Sequence, residues 1–231
     1  MSIEQNLSSV IEKISNSVNK SKFNQVVELI AVTKTVESDK INEVIDLGTN
    51  NIGENKVQEI QRKYSEINTD VNWHLIGTLQ TNKVKYIADK IYMIHSLDRV
   101  ELAKEIDKQA KKHNRTINCL IQVKLSEEDT KHGTEIEDVM ELVKQIAKEY
   151  SNIKICGLMG MAPYFEDSEN ARPYFKKLRS IFDEIKSMNI SGVNMQHLSM
   201  GMSNDYEIAI EEGATFVRVG TAIFGERDII K

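Results

Sequence analysis

Short apolar runs alternate along the chain with longer stretches in which apolar residues return every three or four positions. The runs are ELIAVTK (28–34), NNIGEN (50–55), NWHLIGTLQ (72–80) and IYMIHSLD (91–98), then INCLIQVKL (117–125), IKICGLMGMAP (153–163), NMQHLSMG (194–201) and TFVRVGTAIFG (215–225). A brief apolar run bounded by polar residues reads as a buried strand. Between the runs, SDKINEVIDLG, VELAKEIDKQAKKH, IEDVMELVKQIAKEY and SENARPYFKKLRSIFDEIKSM carry the period of amphipathic helices. Ser38, Asp98 and Ser168 are expected N-caps, and Gly48 an expected helix stop. Ahead of the first strand, Ile3, Leu7, Val10, Ile11, Ile14 and Val18 fall on one stripe, so residues 1–20 should form a helix packed on the body of the domain.

Eight strand candidates separated by helical ones are the cadence of a single (β/α)₈ TIM-like barrel, whose common size is about 250 residues. A doubly wound open sheet has the same alternation, and strand count alone does not separate the two. No Pro/Gly-rich linker divides the 231 residues, so 1–231 is expected to be one α/β domain.

Composition narrows the function classes. A formal charge of −5 argues against a dedicated nucleic-acid binder. No apolar run is long enough to cross a membrane, and the N-terminal segment is not patterned as a signal peptide, so a cytoplasmic protein is expected. Cys119 and Cys156 sit inside apolar runs without metal-type or redox-type spacing, which suggests two buried, reduced thiols.

In a parallel barrel the chemistry collects at the C-terminal ends of the strands, and phosphate sites favour the loops after strands seven and eight. Here those loops are HLSMGMSND (197–205) and VRVGTAIFGE (217–226). Each pairs a glycine with a hydroxyl, Gly201 with Ser203 and Gly220 with Thr221. Ser203 could equally be a plain N-cap. Arg218 interrupts the apolar run Phe216–Val219 and needs an acceptor if buried, either Glu54 or Asp205 or a ligand. Lys34 ends the first strand on the same rim. A desolvated lysine amine attacks aldehydes. An anion cradle, an inward arginine and a strand-end lysine together describe a site for pyridoxal 5′-phosphate (PLP), which offers a phosphate, a ring nitrogen and an aldehyde.

AVTKTV (31–36), NIGENKVQE (51–59), WHLIGTLQTNK (73–83), HSLD (95–98), GLMGMAPY (157–164), HLSMGMSND and VRVGTAIFGER (217–227) occur in this order over nearly the whole chain. Through them the chain resembles the PLP homeostasis protein family, whose fold is the barrel of the alanine racemase N-terminal domain. The resemblance implies that Lys34 carries PLP as an internal aldimine and that Ser203, Gly220 and Thr221 hold its phosphate. It also implies that Arg218 faces the pyridine nitrogen and that Asn55, His74 and Met159 lie near the ring. Read as residues alone, Asn55 fits the cap of the helix NKVQEI, His74 a hydrogen-bonded barrel residue, and Met159 plain core.

Arginine at the ring nitrogen can only donate a hydrogen bond, which leaves a weak electron sink. Alanine racemase compensates with a tyrosine base from an additional C-terminal β-domain of a partner subunit, and with only six residues after Gly225 no such domain is expected here. The expectation is a PLP carrier or buffer with little or no turnover, exchanging with amines or amino acids by transimination and passing PLP to apo-enzymes. The segment 124–135 is the expected gate, with Lys131 and His132 solvated. The rival is a racemase-like enzyme whose second base is His74, Tyr164 or Tyr206. A sugar-phosphate aldolase, a metal-dependent hydrolase and a cofactor-free interaction module rank lower. The five histidines have no carboxylate at ligand spacing.

Overall fold

The computed structural model describes residues 2–67, 70–126 and 132–225. Eight strands run in chain order: β1 (Glu28–Val32), β2 (Asn51–Glu54), β3 (Asn72–Leu75), β4 (Met93–Leu97), β5 (Ile117–Val123), β6 (Ile153–Gly160), β7 (Val193–Met202) and β8 (Phe216–Val219). Each pairs in parallel with the next, and β1 pairs with β8 through Glu28↔Phe216 to Ala31↔Val219. The sheet is therefore a closed barrel. That settles the choice the sequence left open, because a doubly wound sheet has two unpaired edges.

The helices are α1 (Ile3–Lys20), α2 (Ser38–Asp46), α3 (Val57–Tyr64), α4 (Val100–Lys112), α5 (Val139–Glu149), α6 (Arg172–Ser187), α7 (Tyr206–Glu211) and α8 (Thr221–Phe224). Only a 3₁₀ segment, Thr81–Tyr86, joins β3 to β4. The main apolar core lies between the sheet and the helices. A second, small one fills the barrel with Ile30, Met93, Leu120, Cys156, Met159 and Phe216.

The N-terminal helix packs as expected. Ser2 and Gln5 form a capping box, and Leu7, Val10 and Ile14 are buried against α2, α7 and α8. Asn6 Nδ2 donates to Ile223 O at 2.9 Å, while Ile11 faces solvent.

Details at element ends differ from expectation. Residues 221–224 form a helical turn rather than the tail of strand eight, because Phe224 N–H bonds back to Gly220 O. Glu37, not Ser38, takes the cap position of α2, and the Ser38 hydroxyl bonds Glu66 instead. Arg99 occupies the cap of α4, with Asp98 paired to its guanidinium. Asp167 rather than Ser168 accepts the Glu169 N–H. Gly48 does follow α2, at φ +98°.

One glycine is needed by the barrel itself. Register slips where Cys119 pairs with Ile155 and Leu120 with Gly157, so Cys156 is an extra residue in β6. Gly157 then stands at φ +150°, and a Cβ there would lie 1.7 Å from His197 O. Both cysteines are free and buried. Among the described residues no helix is long and apolar enough to cross a membrane.

Candidate cofactor site

A cavity of about 450 Å³ opens where the strands end, lined from every strand or strand-end loop except those of β4. Lys34, Asn55, Ser203, Arg218, Gly220 and Thr221 all line it.

Lys34 sits in a turn just past β1. Val36 N–H bonds Thr33 O at 3.0 Å, and Thr35 takes a left-handed φ of +63°. The turn is tethered from below. Lys63 Nζ donates to Thr33 O at 2.8 Å and to Glu54 Oε1 at 2.7 Å. The Thr33 hydroxyl donates to the same carboxylate oxygen at 2.7 Å. Both members of this ion pair are fully buried. Lys63 occupies the core-facing stripe of α3 with Val57 and Ile60. Its spacing from Val57 and Ile60 was the available signal, and the sequence reading passed over it.

Asn55 follows β2, and the cap position of α3 belongs to Lys56. Gly77 lies so close above Asn55 that a Cβ would stand 2.3 Å from its carbonyl oxygen. Across the rim, Ser203 Oγ accepts the Gly220 N–H at 3.3 Å, which ties the two glycine-hydroxyl loops together.

Arg218 reaches the cavity from inside the barrel and is almost fully buried. Its Nη1 donates to Ser199 Oγ at 2.6 Å and its Nη2 to Gly160 O at 3.1 Å. Burial lowers its pKa to about 10, partly offset by the charge of Asp205, so the guanidinium keeps its proton at neutral pH. Glu54, one of the two acceptors expected for it, is engaged by Lys63 instead. The donor set suits PLP. One amine, two hydroxyls and a charged guanidinium face a single cavity, matching an aldehyde, a phosphate and a ring nitrogen.

The alanine racemase N-terminal domain family model matches residues 6–228. The pyridoxal phosphate homeostasis protein of Aquifex aeolicus is 46% identical over 226 residues, spanning 96% of this chain and 97% of that one. The chain belongs to the pyridoxal phosphate homeostasis protein family. The solved structure of PipY from Synechococcus elongatus with PLP bound superposes with a TM-score of 0.84 at 31% identity, covering 96% of this chain and all of that one. Alanine racemase of Clostridium difficile has a TM-score of 0.70 at 13% identity, with 98% of this chain and 58% of that one covered, a likeness of fold alone.

Two residues that the family resemblance placed near the ring do not line the cavity. Met159 is fully buried in the inner core, and Met161, two residues on and so on the same face of the chain, lines the cavity instead. His74 is likewise fully buried, and Ile76 beyond it reaches the wall. Ile76, Gln122, Met161 and Met202 are lining residues that the sequence reading missed. His132, expected to be solvated, is exposed yet stands at the cavity wall, its carbonyl accepting Gln122 Nε2 at 2.8 Å. Lys131 and the centre of the expected gate, 127–131, lie outside the described residues. Of the three suggested second bases, Tyr164 lines the cavity at 79% exposure, whereas His74 and Tyr206 are buried and do not. Burial pushes the Tyr206 phenol up to about 12. Among the described residues no cluster of three or more His, Cys, Asp or Glu could hold a metal ion.

His74 forms a buried pair with His95, Nδ1 to Nε2 at 2.8 Å. Burial holds His74 neutral down to about pH 3, helped by the nearby His197, and it pushes His95 well below its ordinary value too. An unfolded histidine titrates near 6.5, so between about pH 6.5 and 3 the unfolded chain binds a proton that the folded one refuses. Stability therefore falls as pH drops through that window. From pH 7 to 4.5, His74 alone should cost about 2.5 kcal/mol. Urea unfolding of wild type and His74→Gln at both pH values reads this as a shallower pH slope in the variant. Equal slopes would contradict it.

Proposed function

We propose that this protein binds PLP covalently through Lys34 and serves PLP homeostasis by holding and releasing the cofactor, with little or no turnover. One observation carries the reading: Lys34, Ser203, Thr221 and Arg218 converge on one cavity. The names of the 31–46% identical relatives and the PLP bound by PipY support it. Bound here, PLP supplies an aldehyde that captures primary amines reversibly.

Lys34 provides the attaching amine, on a turn held in place by Lys63 and Glu54. The Ser203 and Thr221 hydroxyls hold the phosphate, with Gly220 allowing close approach. Arg218 donates to the ring nitrogen and cannot give up its proton to it, so the site favours holding over turnover. An incoming amine or amino acid takes the place of Lys34, which lets the cofactor leave toward an apo-enzyme. Residues 1–231 act as one unit, with α1 packed on the barrel helices. The setting is the cytoplasm, without membrane or nucleic-acid partners.

Absorbance titration of the purified protein with PLP tests the reading. The expected result is saturable binding with a new visible band. Ser203→Ala combined with Thr221→Val should weaken it by about 100-fold or more, the worth of two charge-assisted hydrogen bonds. Amino acids incubated with the loaded protein in deuterated water should keep their α-protons. Exchange on the order of hundreds per second would overturn the carrier reading in favour of a racemase-like enzyme with Tyr164 as second base.

A further inference from the structure

A line of buried polar groups crosses the barrel from the cavity floor to the opposite mouth. Arg218 Nη1 meets Ser199 Oγ at 2.6 Å, Ser199 Oγ meets His95 Nδ1 at 3.0 Å, and His95 Nε2 meets His74 Nδ1 at 2.8 Å. His74 Nε2 then meets Asn51 Oδ1 at 3.1 Å, and Asn51 Nδ2 meets the carboxylate of Glu28 at 3.0 Å. Asn72 Nδ2 adds a second donor to Asn51 Oδ1 at 2.9 Å. Glu28 is exposed, so the line ends in water on the far side from the cavity.

The two ends fix every proton between them. Glu28 can only accept, so Asn51 must turn its amide nitrogen to it and its oxygen to His74. His74 then has to donate from Nε2, and while neutral it can only accept at Nδ1. His95 must donate from Nε2 in turn and accept at Nδ1, so the Ser199 hydroxyl donates to His95. The serine oxygen is left to accept from Arg218, which can only donate. The same assignment results from either end. A proton added to His74 would set two N–H groups face to face unless His95 and Ser199 both reversed. Phe216 packs on both rings, with centroids at 5.5 Å from His74 and 5.8 Å from His95. The other ionisable neighbours are His197, stacked on Phe216, and Tyr92 beside His74.

We propose that Glu28, Asn51, His74, His95 and Ser199 act as one unidirectional hydrogen-bond chain that locks Arg218 as a donor facing the cavity. Ser199, His95 and His74 are thereby positioning residues for the arginine. The chain is no proton relay, because its cavity end keeps its proton at neutral pH. Aligned donors polarise one another in a low dielectric, so a change at one end is felt at the other. Low pKa values for both histidines agree with this arrangement. The role in cofactor binding rests on the reading of the preceding subsection; the chain itself does not.

Nitrogen-15 NMR of histidine-labelled, PLP-free protein at pH 7 tests the chain. Both His74 and His95 should appear as the neutral tautomer protonated at Nε2. Of the two histidines Asn51 bonds only His74, yet Asn51→Ala should lower the tautomer ratio at His95 by about tenfold, the worth of one hydrogen bond. Ser199→Ala repeats the test from the other end if the first variant does not fold. An Nδ1-protonated or charged ring in wild type, or a His95 ratio unmoved by both variants, overturns the chain. PLP titration then tests its role: Ser199→Ala should weaken binding about tenfold, with Ser199→Thr restoring it. Wild type that fails to bind PLP sinks the preceding reading, whereas unchanged binding by Ser199→Ala sinks this one.

Discussion

Replacing Lys63 with alanine lowers the free energy of unfolding by about 3–5 kcal/mol, measured by urea denaturation. The lysine and Glu54 are both fully buried, and Glu54 Oε2 has no protein hydrogen-bond partner. Without Lys63 the carboxylate keeps only the Thr33 hydroxyl, so the cost is that of an uncompensated buried charge. Thr33 O loses a donor as well, which loosens the turn that carries Lys34. Replacing both members, Lys63→Met with Glu54→Gln, should recover most of the loss, because a neutral pair carries no such penalty. A single-variant loss under about 1 kcal/mol would show that the pair is not holding the end of β1.

Lys34→Ala abolishes covalent retention of PLP while leaving the fold in place. Lys34 is half-buried on an exposed-side turn, so unfolding should move by no more than about 1 kcal/mol. The Ser203 and Thr221 hydroxyls and Arg218 remain, and they should still bind the phosphate and ring weakly and reversibly. Gel filtration of the loaded variant should strip the cofactor completely, where wild type keeps it. Retention of the visible band by the variant would place the attachment on another lysine.

Most of the barrel was legible in the sequence because eight buried strands leave eight apolar runs. Closure was not, since it depends on Ile30 meeting Arg218 across β1 and β8, a contact between chain ends. Boundaries failed where hydrogen bonding overrode apolarity. Ala222–Phe224 look like strand yet are wound into a helical turn on Gly220 O. Caps failed by a single residue, because Glu37 and Asp167 take the extended backbone that precedes each helical segment.

At the site, the residues that announce chemistry stood out: an amine ending β1, an arginine within an apolar strand, and two glycine-hydroxyl loops. Their supports did not. Lys63 hides in an amphipathic pattern, and Ser199 is one more small residue in β7. His74 and Met159, which the resemblance puts near the ring, are fully buried, while Ile76 and Met161 line the cavity wall.

The most direct measurement is to load the protein with PLP, reduce it with borohydride, digest it and map the modified peptide by mass spectrometry. Added mass on the peptide containing Lys34, and on no other lysine, is the predicted result. An unmodified Lys34 peptide alongside a cofactor-labelled one elsewhere, or no label from a protein saturated with PLP, would contradict the account.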